Sequence, residues 1–376
     1  MKKIGVMTFY ESDNYGTCLQ AWALAETISK LGYECKILRF NRNEVNNKKQ
    51  SKLDRIRQVG IKQALDIIVS RKAISEQKKA FQKFRKHLPI TEERYTSILS
   101  LKDAAAQYDA FVCGSDMIWS WESKAYLDAY FLKFAPKYKR IAYAPSFGNT
   151  NFSNEMKTYY STALESIDYC SCREKKGAQF VKEITSHSCK FVLDPTMLLS
   201  ESEWRAKYRL PKCIYNNKKI ILCYLFGNMN SKFKNSLCDV MKKDEEVRYI
   251  PGNAGQYFHE YIRGKKAFGP IEFLESYSSA NVIITNTYHG LVFALIFKKP
   301  FILLHRENRE HWAKHEERMS SLLEQFGLLD RYINVDNKLS RDLFSLDYST
   351  IQPQIEVQKK DSMNYLVESL LKATNS

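Results

Sequence analysis

Polar residues that could perform chemistry cluster in the pentad Asn286–Gly290, which separates two apolar runs. The short, β-branched run Asn281–Thr285 predicts a buried strand, and Leu291–Phe297 reads as a helix. His289 therefore lies where a strand's carboxyl end meets a helix's amino end, a junction at which α/β sheets hold ligands and anions. Since an unperturbed imidazole titrates near neutral pH, His289 is the leading general acid or base. The alternative is a buried histidine bonded to backbone, and the polar residues beside it favour function.

Charged residues follow other predicted strands as well. Arg173 begins a helix after a strand, and because a helix N-terminus disfavours a cation, this placement suggests an anionic ligand. The alternative is an ion pair with Asp194 or Glu174. Asp116 and Asp194 also follow strands, where they could orient the histidine or a substrate hydroxyl, or cap a helix.

The first forty residues predict a strand, a loop, a helix and a second strand. The strands are Ile4–Phe9 and Cys35–Phe40, and the helix is Thr17–Leu31. The polar loop Tyr10–Gly16 lacks the GxGxxG pattern, so nothing indicates a dinucleotide. Its residues Asp13–Gly16 either direct donors at an anion or sugar, or form an ordinary turn.

Further strands lie along the rest of the first half. They are Asp109–Cys113, Ile141–Ala144, Ile167–Ser171 and Phe191–Leu193. Each ends in small or charged residues, which predicts a cleft along one sheet edge. The run Lys219–Phe226 then indicates a second parallel sheet. We therefore predict an α/β protein of two Rossmann-like domains, residues 1–205 and 206–376, with the terminal helix 361–372 packing back on either domain.

Most of the net charge of +16 comes from residues 41–90, with fourteen Lys/Arg against four Asp/Glu. This segment, assigned to the first domain, predicts two basic amphipathic helices. It is either an attachment to an anionic membrane surface or a solvated face packed on the domain. Without a reader motif or an aromatic ladder, nucleic acid is not a predicted partner.

The N-terminal sequence, the short apolar runs and the cysteine content together predict a cytoplasmic protein. Glu11 and Asp13 closely follow the short apolar N-terminus, which does not suit a secretion signal. The Leu291–Phe297 run is far below the roughly 18 residues of a membrane span. Nine cysteines, with no CxxC, suit reduced structural thiols.

Several stretches together resemble the polysaccharide pyruvyl transferases, which place a pyruvate ketal on a sugar using phosphoenolpyruvate. They occur in the family's order as Ile4–Gly16 with the following LQAWAL, Val112–Trp119, Tyr143–Gly148, Ser171–Glu174, Val192–Thr196 and Ala280–Pro300. The resemblance implies a GT-B-like architecture, with two Rossmann-like domains facing a cleft. It also implies that His289 is catalytic and that Arg173 binds phosphoenolpyruvate.

One position departs from the family pattern. Better-studied members carry Arg-Leu-His-Gly, where the arginine holds the anionic donor, whereas this chain has Thr287 at that position. Arg318, Arg306 or Lys298 could replace the arginine. Arg318 is the first choice because it opens a predicted helix in the same domain.

The resulting hypothesis is a transferase for cell-surface polysaccharide, such as exopolysaccharide or capsule. Phosphoenolpyruvate is its co-substrate, and no metal or other cofactor is required. The predicted donor-binding residues are Arg173, Asn286, Thr287, Tyr288, Gly290 and Arg318. The predicted acceptor-binding residues are Asn14, Tyr15, Gly16, Ser115, Asp116, Trp119 and Ser146. Asp194 has a supporting role, and the aromatic rings of Tyr15, Trp119 and Tyr288 are expected to stack on a sugar.

The expected partner is a sugar or a lipid-linked oligosaccharide, with the protein cytoplasmic or peripheral at the inner face of the membrane. Two alternatives remain open. One is a GT-B-type glycosyltransferase that uses a nucleotide sugar. The other is a non-catalytic, membrane-surface scaffold that depends on residues 41–90.

Overall fold

The computed structural model divides the chain into two compact units. It describes residues 1–40, 71–121, 126–211, 218–227, 229–252, 256–257, 259–260, 263, 268–306 and 309–375, without the side chains of 309–315. The first unit holds the described residues of 1–40, 87–199 and 350–375. The second unit holds 71–86 and the described residues of 200–349.

The elements are numbered in chain order. The strands are β1 (Lys3–Met7), β2 (Glu34–Phe40), β3 (Ile90–Tyr95), β4 (Ala110–Gly114), β5 (Arg140–Tyr143), β6 (Ser171–Cys172), β7 (Lys190–Phe191), β8 (Lys219–Tyr224), β9 (Glu245–Ile250), β10 (Val282–Thr285), β11 (Phe301–Leu304) and β12 (Tyr332–Ile333). The helices are α1 (Tyr15–Lys30), α2 (Arg71–Arg85), α3 (Ile98–Ala105), α4 (Leu127–Tyr130), α5 (Asn154–Leu164), α6 (Lys175–Ile184), α7 (Glu201–Tyr208), α8 (Ser231–Val240), α9 (Pro270–Ser279), α10 (Tyr288–Ile296), α11 (Arg309–Gln325) and α12 (Ile351–Asn375).

A five-stranded parallel sheet, in the order β3-β2-β1-β4-β5, forms the centre of the first unit. All of β4 and most of β1 are buried, as expected for parallel strands with both faces covered. An aromatic core lies beside this sheet, where Trp119 stacks on Phe131 with ring centroids 4.8 Å apart. The predicted α/β architecture is confirmed here, including the opening β1–α1–β2 unit.

The strands predicted at Ile167–Ser171 and Phe191–Leu193 do not extend this sheet as full strands, although Tyr169 forms one isolated parallel bridge with Ile141 of β5. Each shrinks to two residues, and β6 and β7 pair only with each other. The hydroxyl of Ser171 explains part of the difference. It donates to the carbonyl of Ala142 at 2.7 Å and accepts from the N–H of Ala144 at 3.1 Å, so a side chain takes up backbone groups that a ladder would otherwise pair.

The terminal helix α12 belongs to the first unit. The Leu193 N–H donates to the hydroxyl of Ser362 at 2.9 Å, and the hydroxyl of Tyr365 donates to the Ala142 carbonyl at 3.0 Å. Leu370 is fully buried on the same helix. The last residues of the chain thus return to the sheet formed by the first.

A second five-stranded parallel sheet, in the order β12-β11-β10-β8-β9, forms the centre of the second unit. Apolar side chains of its central strands, including Ile221, Ile284 and Ile302, pack against Phe233 and Leu237 of α8. The longer stretch of this unit begins at Ser200, whereas the sequence predicted a start at residue 206. The Ser200 hydroxyl caps α7, whose Trp204 packs edge-on against Phe293 at 5.5 Å.

The basic segment is described only in part, because residues 41–70 lie outside the described residues. Helix α2 falls in the second unit and not, as predicted, in the first. Ala73, Phe81 and Phe84 are buried, and the Phe84 ring lies 6.1 Å from that of Tyr208. The apolar face of α2 is therefore used inside the protein, and only its basic face, including Lys79, is open to solvent. Attachment of residues 41–90 to an anionic membrane surface stays a prediction.

Among the described helices, none combines the length and the apolar character that crossing a membrane requires.

Replacing Leu370 by alanine tests the packing of α12. Because this side chain is fully buried, Leu370→Ala should lower the free energy of unfolding by about 2–5 kcal/mol. Leu371 is the matched control, since its side chain is 49% exposed, and Leu371→Ala should change stability by less than about 0.5 kcal/mol. Denaturant titration measures both values, and equal effects would contradict this placement of the helix.

Candidate functional site

Each sheet has one point at which the strand order reverses. In the first sheet it lies between β1 and β4, and in the second between β8 and β10. Loops that follow such neighbouring strands leave in opposite directions, which opens a crevice at their carboxyl ends where α/β proteins bind ligands. These two crevices, one in each unit, are the candidate sites.

The first-unit site is defined by Asn14, Thr17 and Asp116. The Asn14 side chain caps α1 by accepting from the Thr17 N–H at 3.1 Å. The Thr17 hydroxyl donates to the Asp116 carboxylate at 2.6 Å, which joins the end of β4 to the start of α1. Asn14 and Asp116 were both predicted, whereas Thr17 was missed. Its position three residues after a capping asparagine is the signal that could have identified it.

Unusual backbone geometry marks the same sheet edge. Asp116 and Ala144 have φ values of 68° and 56°, and they follow the neighbouring strands β4 and β5. Residues other than glycine adopt this left-handed region at a cost, and such strain concentrates at functional sites. Ser146 is fully buried, and its N–H donates to the Asp116 carbonyl at 2.9 Å. This serine therefore ties the two strand ends together and is not exposed to an acceptor.

The predicted aromatic stacking surface is not seen. Trp119 is fully buried against Phe131, and its indole N–H donates to the Tyr130 carbonyl at 3.4 Å. Tyr15 and Tyr288 are 4% and 5% exposed. The prediction that these rings stack on a sugar is wrong for Trp119, which has no exposed face. The turn after β4, in which the Ser120 N–H donates to the Met117 carbonyl at 3.2 Å, carries the ring into the core, a direction that residue type alone does not specify.

Arg173 forms the ion pair that the sequence left open as an alternative. Its guanidinium lies 2.9 Å from the Asp194 carboxylate and 3.4 Å from that of Glu174, and its side chain is fully buried. Asp194 also accepts from the Ser115 hydroxyl at 2.8 Å and from Thr196. The buried charge is thus balanced by two carboxylates within the protein. This geometry differs from the predicted arginine open to an anionic ligand, and it makes Ser115 an internal bonding partner.

Replacing Arg173 distinguishes the two roles. Arg173→Met would leave buried carboxylates without their cation, so it should lower the free energy of unfolding by about 3–5 kcal/mol. Lys175→Met, two residues along and exposed, should change it by less than about 0.5 kcal/mol. Thermal and denaturant unfolding provide the measurement. A stable Arg173→Met variant with weakened anion binding would instead support the ligand role.

The pentad of the second unit is held by two threonine hydroxyls. Thr285 donates to the Tyr224 carbonyl at 2.7 Å and lies 3.0 Å from the Thr287 hydroxyl. Thr287 caps α10 by accepting from the Gly290 N–H at 3.0 Å. A Cβ on Gly290 would overlap the Thr285 hydroxyl and lie 2.5 Å from that of Thr287. The packing of these hydroxyls therefore requires glycine after His289.

His289 lies in the first turn of α10 and is partly exposed. The buried ring of Tyr288 meets it edge-on at 5.3 Å. The Arg318 guanidinium carbon lies 5.7 Å from the centre of the Tyr288 ring, which brings the predicted arginine next to the pentad. Arg318 does not open a helix as predicted, because α11 begins at Arg309.

Asn286 connects the two sides of the second crevice. Its side-chain amide accepts from the Phe226 N–H at 2.8 Å and donates to the Phe226 carbonyl at 2.9 Å. The amide thus holds both polar groups of a residue that follows β8. Asn286 was predicted to bind the donor substrate. In the structure its side chain positions the loop that follows β8.

The capping role of Thr287 can be measured directly. Thr287→Ala removes the acceptor for the Gly290 N–H, so it should lower the free energy of unfolding by about 1 kcal/mol. Thr287→Ser keeps the hydroxyl and should stay near wild type. Urea titration of both variants supplies the values, and an undiminished stability of Thr287→Ala would contradict the cap.

The described residues contain no group of three or more His, Cys, Asp or Glu side chains that could hold a metal ion. Two parallel sheets with crevices at their reversal points define the class, an α/β protein of two Rossmann-like domains.

Comparison with one solved structure supports this class. The chain is similar to a variant of the wall teichoic acid polymerase TagF, with 12% identity, a TM-score of 0.51, and coverage of 100% of this chain and 89% of that one. It is also similar to a putative UDP-N-acetylglucosamine 2-epimerase from Listeria monocytogenes, with 11% identity, a TM-score of 0.47, and coverage of 92% and 91%. A third similar structure is the glycosyltransferase SnogD from Streptomyces nogalater, with 10% identity, a TM-score of 0.42, and coverage of 97% of this chain and 95% of that one. At these identities the likeness concerns the fold alone.

Sequence comparison identifies the family. The model of the polysaccharide pyruvyl transferase family matches residues 14–308. The chain therefore belongs to the polysaccharide pyruvyl transferase family and is a transferase, as its motifs predicted. No curated protein matches it.

Proposed function

We propose that this protein transfers the pyruvyl group of phosphoenolpyruvate to two hydroxyls of a polysaccharide sugar, forming a ketal. Family membership over residues 14–308 is the observation that carries the proposal. The presence of a partly exposed histidine in the first turn of α10 supports it.

The proposed reaction joins donor and acceptor in two additions. A proton reaches the methylene carbon of phosphoenolpyruvate, which leaves an oxocarbenium-like centre at C2. One sugar hydroxyl bonds to C2 and loses its proton, the C2–O bond to phosphate breaks, and a second hydroxyl closes the ketal. Of the two protons that the hydroxyls lose, one is matched by the proton added to form the methyl group, and the other is carried by the released phosphate. The scheme assigns no step to a metal or redox cofactor.

His289 is assigned the proton transfer. An imidazole can both accept and donate a proton near neutral pH, which suits a reaction that moves protons from hydroxyl to carbon. The start of α10 adds partial positive charge, which favours a donor that carries both a phosphate and a carboxylate. Arg318, beside Tyr288, adds a full positive charge to the same part of the second unit.

Acceptor recognition is assigned to the first-unit site. The Asn14 amide and the Asp116 carboxylate are the kinds of group that bind sugar hydroxyls, and Gly16 leaves the adjoining helix start without a side chain. The partial exposure of Asn14 supports this assignment. A polysaccharide or its lipid-linked precursor is the acceptor class that fits the family.

Loss of His289 should abolish most of the activity. Without a group to transfer the proton, His289→Ala should lower the rate of phosphate release from phosphoenolpyruvate by about 100- to 10,000-fold. Free and lipid-linked oligosaccharides serve as acceptors in this assay. His187→Ala is the matched control and should keep the wild-type rate, because His187 lies between α6 and β7, is assigned to neither candidate site, and pairs with Glu165 at 2.8 Å.

A binding panel tests the donor independently of the acceptor. Phosphoenolpyruvate should raise the thermal unfolding midpoint of the wild-type protein. If only nucleotide sugars raised it, and no phosphate were released from phosphoenolpyruvate with any acceptor, the protein would be a glycosyltransferase instead.

A further inference from the structure

A cavity of about 180 Å³ lies at the crevice of the second unit, between the loop after β8 and the ends of β10 and β11. Its lining residues include Phe226, Asn230, Phe233, Asn286, Leu304 and Arg306. At roughly 30 Å³ for each water, this space corresponds to about six water molecules. It therefore suits a small molecule or one end of a larger one.

Phe226 gives the cavity a fixed aromatic wall. Its ring is in the part of the chain that follows β8, and the residue is 43% exposed. The Asn286 amide bonds both its N–H and its carbonyl, so the backbone that carries the ring is held in place. A large exposed ring on a firmly held backbone is a suitable surface for a flat group.

Arg306 provides a buried cation beside this wall. It is 7% exposed, and its guanidinium carbon lies 4.9 Å from the centre of the Phe226 ring. Its Nε donates to the Asn286 carbonyl at 3.0 Å. Burial lowers the pKa of Arg306, which reflects the cost of removing a charge from water. An anion bound in the cavity would offset that cost.

The other walls combine a helix start with apolar side chains. Asn230 caps α8 by accepting from the Phe233 N–H at 2.7 Å, so the positive end of the helix dipole faces this part of the unit. Leu304 is buried at the end of β11. The cavity thus offers positive charge and apolar surface together, which suits a small anion with an unsaturated carbon skeleton.

We propose that this cavity binds the carboxylate end of the donor, with Arg306 pairing with the carboxylate and Phe226 lying against the adjoining flat group, so that the methylene carbon lies toward the pentad, whose Asn286 lines the cavity. The inference rests on the function proposed above. In phosphoenolpyruvate the carboxylate is conjugated with the carbon–carbon double bond, which keeps that end planar. A guanidinium matches the two carboxylate oxygens and also stacks on an aromatic ring. Arg306 then supplies the positive charge for the donor, because position 287, where better-studied family members carry an arginine, holds a threonine in this chain.

Direct binding of phosphoenolpyruvate to the full-length protein, measured by isothermal titration calorimetry, tests the proposal. Arg306→Met should weaken the Kd at least tenfold, and Arg306→Lys, which keeps the charge but not the planar fork, should weaken it less. Phe226→Leu should weaken it several-fold. Lys232→Met is the matched control, because it removes one positive charge at the exposed start of α8, and its Kd should stay within twofold of wild type.

The outcomes separate this proposal from the function on which it rests. A wild-type protein that neither binds nor consumes phosphoenolpyruvate would overturn both. Normal turnover by wild type, with a Kd for Arg306→Met within twofold, would overturn the cavity assignment alone. If Arg306→Met does not fold, as judged by circular dichroism, the decision passes to Arg306→Lys and Phe226→Leu, and unchanged binding by both would refute the assignment.

Discussion

Parallel pairing of strands is the constraint on which the rest of this structure depends. In a parallel sheet every strand ends at the same edge, so residues far apart in sequence meet there without any direct attraction between them. Thr17 and Asp116 are ninety-nine positions apart and share a 2.6 Å hydrogen bond. Phe226 and Asn286, sixty positions apart, share two. Burial of both sheet faces leaves these edges as the places where polar side chains can reach solvent.

The two edges use their polar groups differently. At the first, the charge of Arg173 is balanced within the protein by the carboxylates of Asp194 and Glu174 in a buried cluster. At the second, the buried cation Arg306 lies against an aromatic ring and beside a cavity. A buried cation with carboxylates on either side stabilises the fold, whereas one that borders a cavity is placed to receive an anion. Arginine identity alone does not separate these roles, because they differ only in what surrounds the side chain.

The sequence predicts the architecture well and the site less completely. The strand β10, the helix α10 and the junction at His289 follow from periodicity and polar interruption, because these signals are local. Local patterns do not reveal features that depend on contacts between distant residues. These features are the direction of the Trp119 ring, the partner of Arg173 and the start of α11. Asn286 was predicted to be a site residue. Its two hydrogen bonds to the Phe226 backbone could not be predicted, because the loop after β8 carries no recognisable motif. The helix α2 illustrates the same limit: its amphipathic face was evident, but its unit was fixed by packing with Tyr208.

The bidentate hold of Asn286 on Phe226 also has a thermodynamic consequence. A loop that must be ordered when its ligand arrives loses conformational entropy at that moment, and the loss subtracts from affinity. Here the Phe226 backbone is fixed during folding, by the end of a neighbouring strand, so that ordering cost is already included in the stability of the second unit. Substituting the asparagine would transfer the cost from folding to binding. The same amide therefore links the stability of a strand end to the dissociation constant of whatever occupies the crevice.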